Sequence, residues 1–206
     1  MVDTLPAYFC IFAQTTDRLM QETYIQDKTF DRSDVPAQGE YESCIFNSCN
    51  FADGDLSGFK FSECTFNNCN FSMAKLNNTV FQDVTFNGCK MLGLRFDTCD
   101  KFGLSFAFAD CLLNHTSFYG LKIKKTIFGN SQLQGADFSE TDLTDAIFDN
   151  CDLAQATFDR SVLERADFRT AFHYSIDPEI NRIKKARFSV AGLPGLLGKY
   201  GINVSF

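Results

Sequence analysis

The chain has no tryptophan, two histidines and four prolines in 206 residues, and these scarcities close off several classes of protein. Neither His115 nor His173 stands at a recognisable spacing from a serine or cysteine nucleophile, so triad-type hydrolysis has no support. No apolar run reaches the ~18–20 residues that cross a bilayer, and no membrane partner is expected. The apolar stretch from Leu5 to Ala13 follows Asp3 without a basic segment, which argues against a secretory signal. Bases are outnumbered as well: 19 Lys and Arg face 26 Asp and Glu, a net charge of −7. That balance weighs against direct binding to nucleic acid. The glycines at 192, 195 and 198 before Lys199 have the wrong spacing for a phosphate loop, and Tyr200 stands where Ser or Thr would follow the lysine. An enzyme is not expected, nor is any cofactor or metal.

What is abundant is phenylalanine, with 24 residues, and it is periodic. Stepping by fives from Tyr41 meets Phe46, Phe51, Leu56, Phe61, Phe66, Phe71, and so on to Phe96, Lys101 and Phe106. The register then slips by two and resumes from Phe108 to Phe168. Of these 27 central positions, 26 are aromatic or aliphatic, and they hold 16 of the 24 Phe. Helical faces repeat at three and four residues and simple strands at two, so neither produces a strict five.

A second register runs two residues ahead of the first and is mostly small: Cys44, Cys49, Gly54, Phe59, Cys64, Cys69, Ala74, and later Thr126, Ser131, Ala136. Lys101 is the single charge in the two registers together, so both are expected to point inward. Eight of the nine cysteines belong to the small register. Their spacing (Cys44 to Cys49, Cys64 to Cys69) falls within the loose range of zinc ligands. The repeat explains it without metal, because a buried thiol is a small hydrophobe. Cysteines without a secretory signal also fit a reducing, cytoplasmic location. Above the five lies a period of twenty: residues 43–56 and 63–76 agree at 7 of 14 positions. Four steps of five therefore close one coil, with Asn, Asp and Gly at the corners. Lys101 is expected to bulge outward, with Phe102 turning in to replace it.

Ala136-Asp137-Phe138, Ala166-Asp167-Phe168 and Cys151-Asp152-Leu153 resemble the A(D/N)Lxx consensus of the pentapeptide repeat family, in tandem over residues 41–170. The resemblance implies an all-β fold, a right-handed quadrilateral β-helix with the central and small residues stacked inside and a short C-terminal helical cap. Three segments follow: an extension over 1–24, with Met20 read as the natural start; the β-helix over 25–172; and a cap and dimerisation segment over 173–206. The tail is similar to those of members that dimerise through this cap, the Qnr-type quinolone-resistance proteins among them. A homodimer through Leu193, Leu196, Leu197 and Tyr200 is therefore expected.

The function implied is a non-enzymatic protein-interaction scaffold. The alternative is a mimic of the DNA duplex that binds a type II topoisomerase such as DNA gyrase or topoisomerase IV. Residues 126–159 carry seven acids and no Lys or Arg, which makes Asp145, Asp149 and Asp159 the candidate interaction surface. Against mimicry, a duplex carries about one charge per ~1.7 Å, far denser than this chain, and the looped insertions of Qnr-type members are missing.

Overall fold

The computed structural model describes residues 23–32 and 36–202. The chain winds in coils of four short steps, and successive coils stack in parallel. On the second wall of each coil lie β2 (Thr29–Asp31), β4 (Ile45–Asn47), β6 (Thr65–Asn67), β8 (Val84–Asn87), β9 (Phe106–Ala109), β10 (Ile127–Gly129), β11 (Ile147–Asp149), β12 (Asp167–Phe168) and β13 (Arg187–Phe188). They form one nine-stranded parallel sheet. The first wall carries a four-stranded sheet of β1 (Thr23–Gln26), β3 (Gly39–Glu42), β5 (Lys60–Ser62) and β7 (Val80–Gln82). Single parallel bridges continue it through Lys122, Asp142, Val162 and Arg182, and similar bridges form the third and fourth walls. At ~4.8 Å per rung, nine rungs make a rod about 38 Å long.

The five-residue period maps directly onto this geometry. Central residues Phe66 and Phe86 pair in register, as do Phe46 and Phe66. Every central residue from Tyr41 to Phe168 is buried except Lys101. Inside the second wall, nine phenylalanines from Phe30 to Phe188 stack ring on ring, each pair 4.7–5.3 Å between centroids. Rings on opposite walls meet edge to face across the interior, as Phe128 does with Phe138 at 5.8 Å. Two of the nine, Phe30 and Phe188, lie outside the span in which the sequence shows the repeat. Pairing of Arg187 and Phe188 with Asp167 and Phe168 carries the sheet one coil past the expected boundary at 172/173. The expected extension over 1–24 lies outside the described residues except for Thr23 and Tyr24, which open β1.

The small register has a chemical rule. Cys64, Cys69, Cys89 and Cys151 each place Sγ 3.2–3.3 Å from the carbonyl oxygen 23 positions earlier. Thr79, Thr141 and Ser161 donate their hydroxyls to the equivalent carbonyls at 2.7–2.8 Å. Cys, Ser and Thr therefore interchange because each brings one donor to the same corner. The corners are left-handed. The residue two after the centre has positive φ almost throughout, including Lys125 at 61°, Glu140 at 57° and Gln155 at 60°. Residues other than glycine pay for this conformation, and the ladder on both sides holds them there.

One coil is irregular. Phe86 pairs with Phe108, 22 residues on rather than 20. The chain leaves the first wall at Asp100 and rejoins it at Ser105, whose backbone N donates to the Phe81 carbonyl at 2.9 Å. Lys101 faces outward, as expected. Phe102 does not turn in; it is 83% exposed. The vacancy is filled instead by Phe106, which stands in the small column opposite Val84. Its ring lies 5.1 Å from both Phe96 and Phe108, so no room remains for Phe102.

Removing one ring from the ladder should be expensive, because its neighbours are fixed by the rung spacing and cannot collapse into the gap. Phe128→Ala is expected to lower stability by about 3–5 kcal/mol in urea unfolding. A loss under about 1 kcal/mol would show that the ladder does not bear on stability.

Candidate interaction surfaces

The interior offers little chemistry. Burial pushes the Cys64 and Cys151 thiols up to about 12 each, so both are protonated near neutral pH. Cys44 and Cys49 belong to columns on adjacent walls, and among the described residues no three His, Cys, Asp or Glu side chains converge on a metal-sized site. Whatever the rod recognises meets the outward positions of each step.

The candidate acids do not form one surface. Asp149 follows Phe148 on the second wall, and Asp159 follows Phe158 on the fourth, so the two lie on opposite sides of the coil. Asp145 sits at the corner after Leu143 on the first wall, where Arg165 of the next coil grips it through Nε at 2.6 Å and the terminal nitrogen at 2.7 Å. These hydrogen bonds hold its carboxyl below the usual range. Arg160 likewise reaches Glu140 at 3.1 Å and Asp159 at 3.3 Å. Lys124 pairs with Asp142 at 3.2 Å and Arg182 with Glu164 at 2.7 Å. The acidic run is therefore largely neutralised by bases on neighbouring coils. Asp149 is exposed and, among the described residues, its carboxylate accepts only the Thr170 hydroxyl at 2.8 Å and has no basic partner.

Beside Asp149 the second wall exposes two apolar side chains. Ile127 and Ile147 are 48% and 37% exposed, and with Asp149, Asp167, Arg169 and Thr170 they line a shallow cleft of about 560 Å³. Between β4 and β10 this wall carries no charge on its strands, and an amide ladder runs along it. Asn47 donates to Asp31 at 2.8 Å, Asn67 to Asn47 at 2.9 Å and Asn87 to Asn67 at 3.0 Å.

The first wall is charged and polarised. Its four N-terminal steps present Asp27, Glu40, Glu42, Glu63 and Asp83 against Lys60. Its four C-terminal steps present seven bases, among them Lys122, Lys125, Lys184 and Lys185, against Asp142, Asp145 and Glu164. The halves carry net charges of −4 and +4, and the Lys101 step between them balances Asp100 with Lys101.

The expected dimer residues are only partly available. Leu196 packs against the core and Leu197 is half-buried, whereas Leu193 and Tyr200 are 44% and 53% exposed. Tyr200 donates its hydroxyl to Glu179 at 2.9 Å, and Lys199 bridges Asp177 and Glu179 at 2.8 and 2.5 Å. The segment is thus fastened to its own last coil. Its glycines serve that close fit: a Cβ at Gly192 would meet the Tyr174 hydroxyl at 1.9 Å, and one at Gly195 would meet the Tyr174 carbonyl oxygen at 2.3 Å. Among the described residues of this segment, Val190, Leu193, Tyr200 and Ile202 are exposed, as is Ile180 on the last coil.

The stacked coils define a four-walled β-solenoid, closed at its C-terminal end by short 3-10 helices at Val190–Leu196 and Gly198–Tyr200. Family models described as "Pentapeptide repeats (8 copies)" and "Pentapeptide repeat region" match residues 44–83 and 104–171, more than half of the chain together. The chain belongs to the pentapeptide repeat family. The unmatched stretch between those segments holds the irregular Lys101 step. No curated protein matches the sequence. Similar solved structures include a trypsin-treated form of QnrB1, a plasmid-mediated fluoroquinolone resistance protein, at 17% identity and TM-score 0.46, covering 89% of this chain and 100% of that one. HetL, involved in heterocyst differentiation regulation in Nostoc sp. strain PCC 7120, is 14% identical with TM-score 0.45, covering 81% and 87%. Rfr23 from Cyanothece 51142 is 10% identical with TM-score 0.26, covering 67% and 86%. No helix among the described residues is long and apolar enough to cross a membrane.

Two tests follow from the site chemistry. The eight thiols from Cys44 to Cys151 are buried, so none should react with an aromatic disulfide reagent at pH 8 until the protein is unfolded. Rapid reaction of any of the eight in native protein would contradict the packing. The second concerns Asp167, whose carboxyl is held below the usual range first by the Arg169 side chain at 2.8–3.2 Å and also by the nearby Arg187. A lowered folded pKa adds stability that is present above the unfolded value of about 4 and lost as pH falls through the folded value. Parent protein should therefore lose stability more steeply below about pH 4 than Asp167→Asn does. Equal slopes in urea titrations would remove Asp167 from the acid response.

Proposed function

We propose that the protein is a non-catalytic interaction scaffold, a stiff rod that presents side chains at fixed spacing to a protein partner. The observation that carries this reading is the complete use of the inward registers. Stacked rings fill the centre, and small-column donors are spent on backbone carbonyls. The second-wall patch of Ile127, Ile147 and Asp149 is the docking position best supported. It combines exposed apolar side chains with an unpaired carboxylate, and it fits a partner segment carrying an apolar side chain next to a base. The duplex-mimic alternative needs a continuous acidic wall, and Asp145, Asp149 and Asp159 are spread over separate walls with two of the three paired to arginine. A tail-to-tail homodimer would use Leu193 and Tyr200 rather than all four expected residues.

The test is affinity capture from the native host with three baits: parent, Ile127→Lys/Ile147→Lys, and Asp159→Lys on the opposite wall. A partner held by the parent and the fourth-wall variant but lost, at least tenfold, with the second-wall variant is the expected result. Capture indifferent to every outward change would overturn the scaffold reading. Recovery of a type II topoisomerase that is lost only when all three aspartates are reversed would favour mimicry instead.

A further inference from the structure

We infer that the first wall is a self-association surface, on which a second copy of the chain packs antiparallel about a two-fold axis through the Lys101 step. Three independent features converge there. The wall has four steps on each side of Lys101, counted by their central positions: Ile25, Tyr41, Phe61 and Phe81 before it, Ile123, Leu143, Leu163 and Ile183 after it. Its net charge is antisymmetric about that step, −4 on one side and +4 on the other. At the centre stands Phe102, 83% exposed, its backbone N held by the Asp100 carboxylate at 2.8 Å.

A two-fold axis lying in the plane of the contact, across the rod at the Lys101 step, exchanges the two halves of the wall. The acidic half of one copy then faces the basic half of the other, twice over, as an isologous contact requires. One step from the axis, Asp83 of one copy faces the Lys122–Lys125 step of the second. At the far end Asp27 faces the step carrying Arg182, Lys184 and Lys185. The middle steps add little, with Lys60 and Glu63 facing Asp142 and Asp145, and Glu40 and Glu42 facing Glu164 and Arg165. Parallel packing, by contrast, would set each of the two strongly basic steps, Lys122–Lys125 and Arg182–Lys185, against its own copy. Lys122, Lys125, Lys184 and Lys185 have no carboxylate within ion-pair distance among the described residues, so they are available to the second copy. Phe102 lies on the axis and meets its own counterpart, in the central position where aromatic anchors contribute most. Nothing in the coil needs this ring, since Phe106 already fills the interior.

The wall's dimensions set the strength of the contact. About 38 Å by three outward residues, about 10 Å, is about 400 Å² per copy, below stable interfaces and in the range of weak, transient contacts. Association should therefore be reversible, reached at micromolar concentrations and weakened by salt. The second-wall patch stays open in this arrangement, so the contact is independent of the scaffold reading.

Sedimentation and light scattering on the full chain test the inference. At about 50 µM protein the parent should be dimeric in about 50 mM NaCl and monomeric in about 1 M. Phe102→Ser should weaken the dimer at least tenfold without moving the thermal midpoint. Asp27→Lys/Asp83→Lys and Lys125→Asp/Lys185→Asp should each be monomeric alone and form a heterodimer when mixed, because the two reversals restore complementarity across the axis. Phe102→Cys should cross-link to itself under mild oxidation, where the parent does not. Leu193→Asp/Tyr200→Lys should leave the dimer intact. A monomeric parent in low salt, a dimer indifferent to Phe102→Ser, or a dimer abolished by the Leu193/Tyr200 changes would each overturn the inference.

Discussion

Every feature of this rod depends on one constraint: the side chain at each inward position must fit directly above its equivalent one coil below, at the rung spacing. A phenylalanine ring stacked at 4.7–5.3 Å nearly matches the ~4.8 Å between parallel strands, so one residue type can repeat indefinitely without tilt or gap. That match explains the heavy use of Phe and the second wall's unbroken column. The second register holds mostly Cys, Ser, Thr and Ala beside these rings, with Phe59, Leu94 and Leu121 as larger members that the interior also accommodates. Phe106 is the informative exception. It enters the small column of the second wall in the coil where a central residue is missing, and supplies the missing ring.

Stacking also changes who is a neighbour of whom. On a helix, charges three or four residues apart interact. On this solenoid, residues twenty apart lie one rung from each other, as Arg165 and Asp145 or Arg160 and Glu140 do. A linear acidic run is then no guide to an acidic surface. The stretch from Thr126 to Asp159 lacks bases in sequence yet is threaded by arginines from the following coil. Exposed pairs of this kind contribute only ~0–1 kcal/mol each, so their larger consequence is electrostatic. They cancel charge on the fourth wall and at the Asp145 corner, and leave the first wall as the place where charge remains separated.

The core was legible in the sequence because burial, period and size all repeat together there; a reader of Phe46, Phe66 and Phe86 needs no coordinates to stack them. Phe30 and Phe188 were not legible. The first coil pairs Phe30 with Phe46 at sixteen residues, breaking the period, and Phe188 arrives after a coil whose central positions include Pro178 and Ile183 rather than Phe and Leu. Phe102 was misread for a different reason. Sequence identifies the step that fails, but which neighbouring ring fills the vacancy depends on backbone direction, and the two-residue insertion delivers Phe106 from the adjacent wall. The candidate acids were sound as outward positions and misleading as a patch, because five-residue spacing says that a residue faces out without saying on which wall. The polarised first wall could have been found in the sequence by reading each outward column at intervals of twenty.

The same stacking logic makes the ends hazardous, since a solenoid coil presents unpaired strand groups ready to accept another coil. Charge does not prevent this here: Lys184, Lys185 and Arg187 at the C-terminal edge would attract acids such as Asp27 and Asp31 at the other end. Shape must do it. Asn181 stands in the small column of the last coil, where its amide donates to the Phe158 carbonyl at 2.8 Å and its oxygen accepts the Ser161 N–H at 2.8 Å. The Ile176 N–H is taken by the Gly195 carbonyl at 2.9 Å, and Gly192 and Gly195 let the 3-10 segment lie directly on Tyr174. The edge is thereby covered by a segment that cannot itself continue the ladder. Lateral contact along a wall is then the geometry in which the rod meets a second molecule without lengthening, and on the first wall the charge pattern singles out the antiparallel orientation.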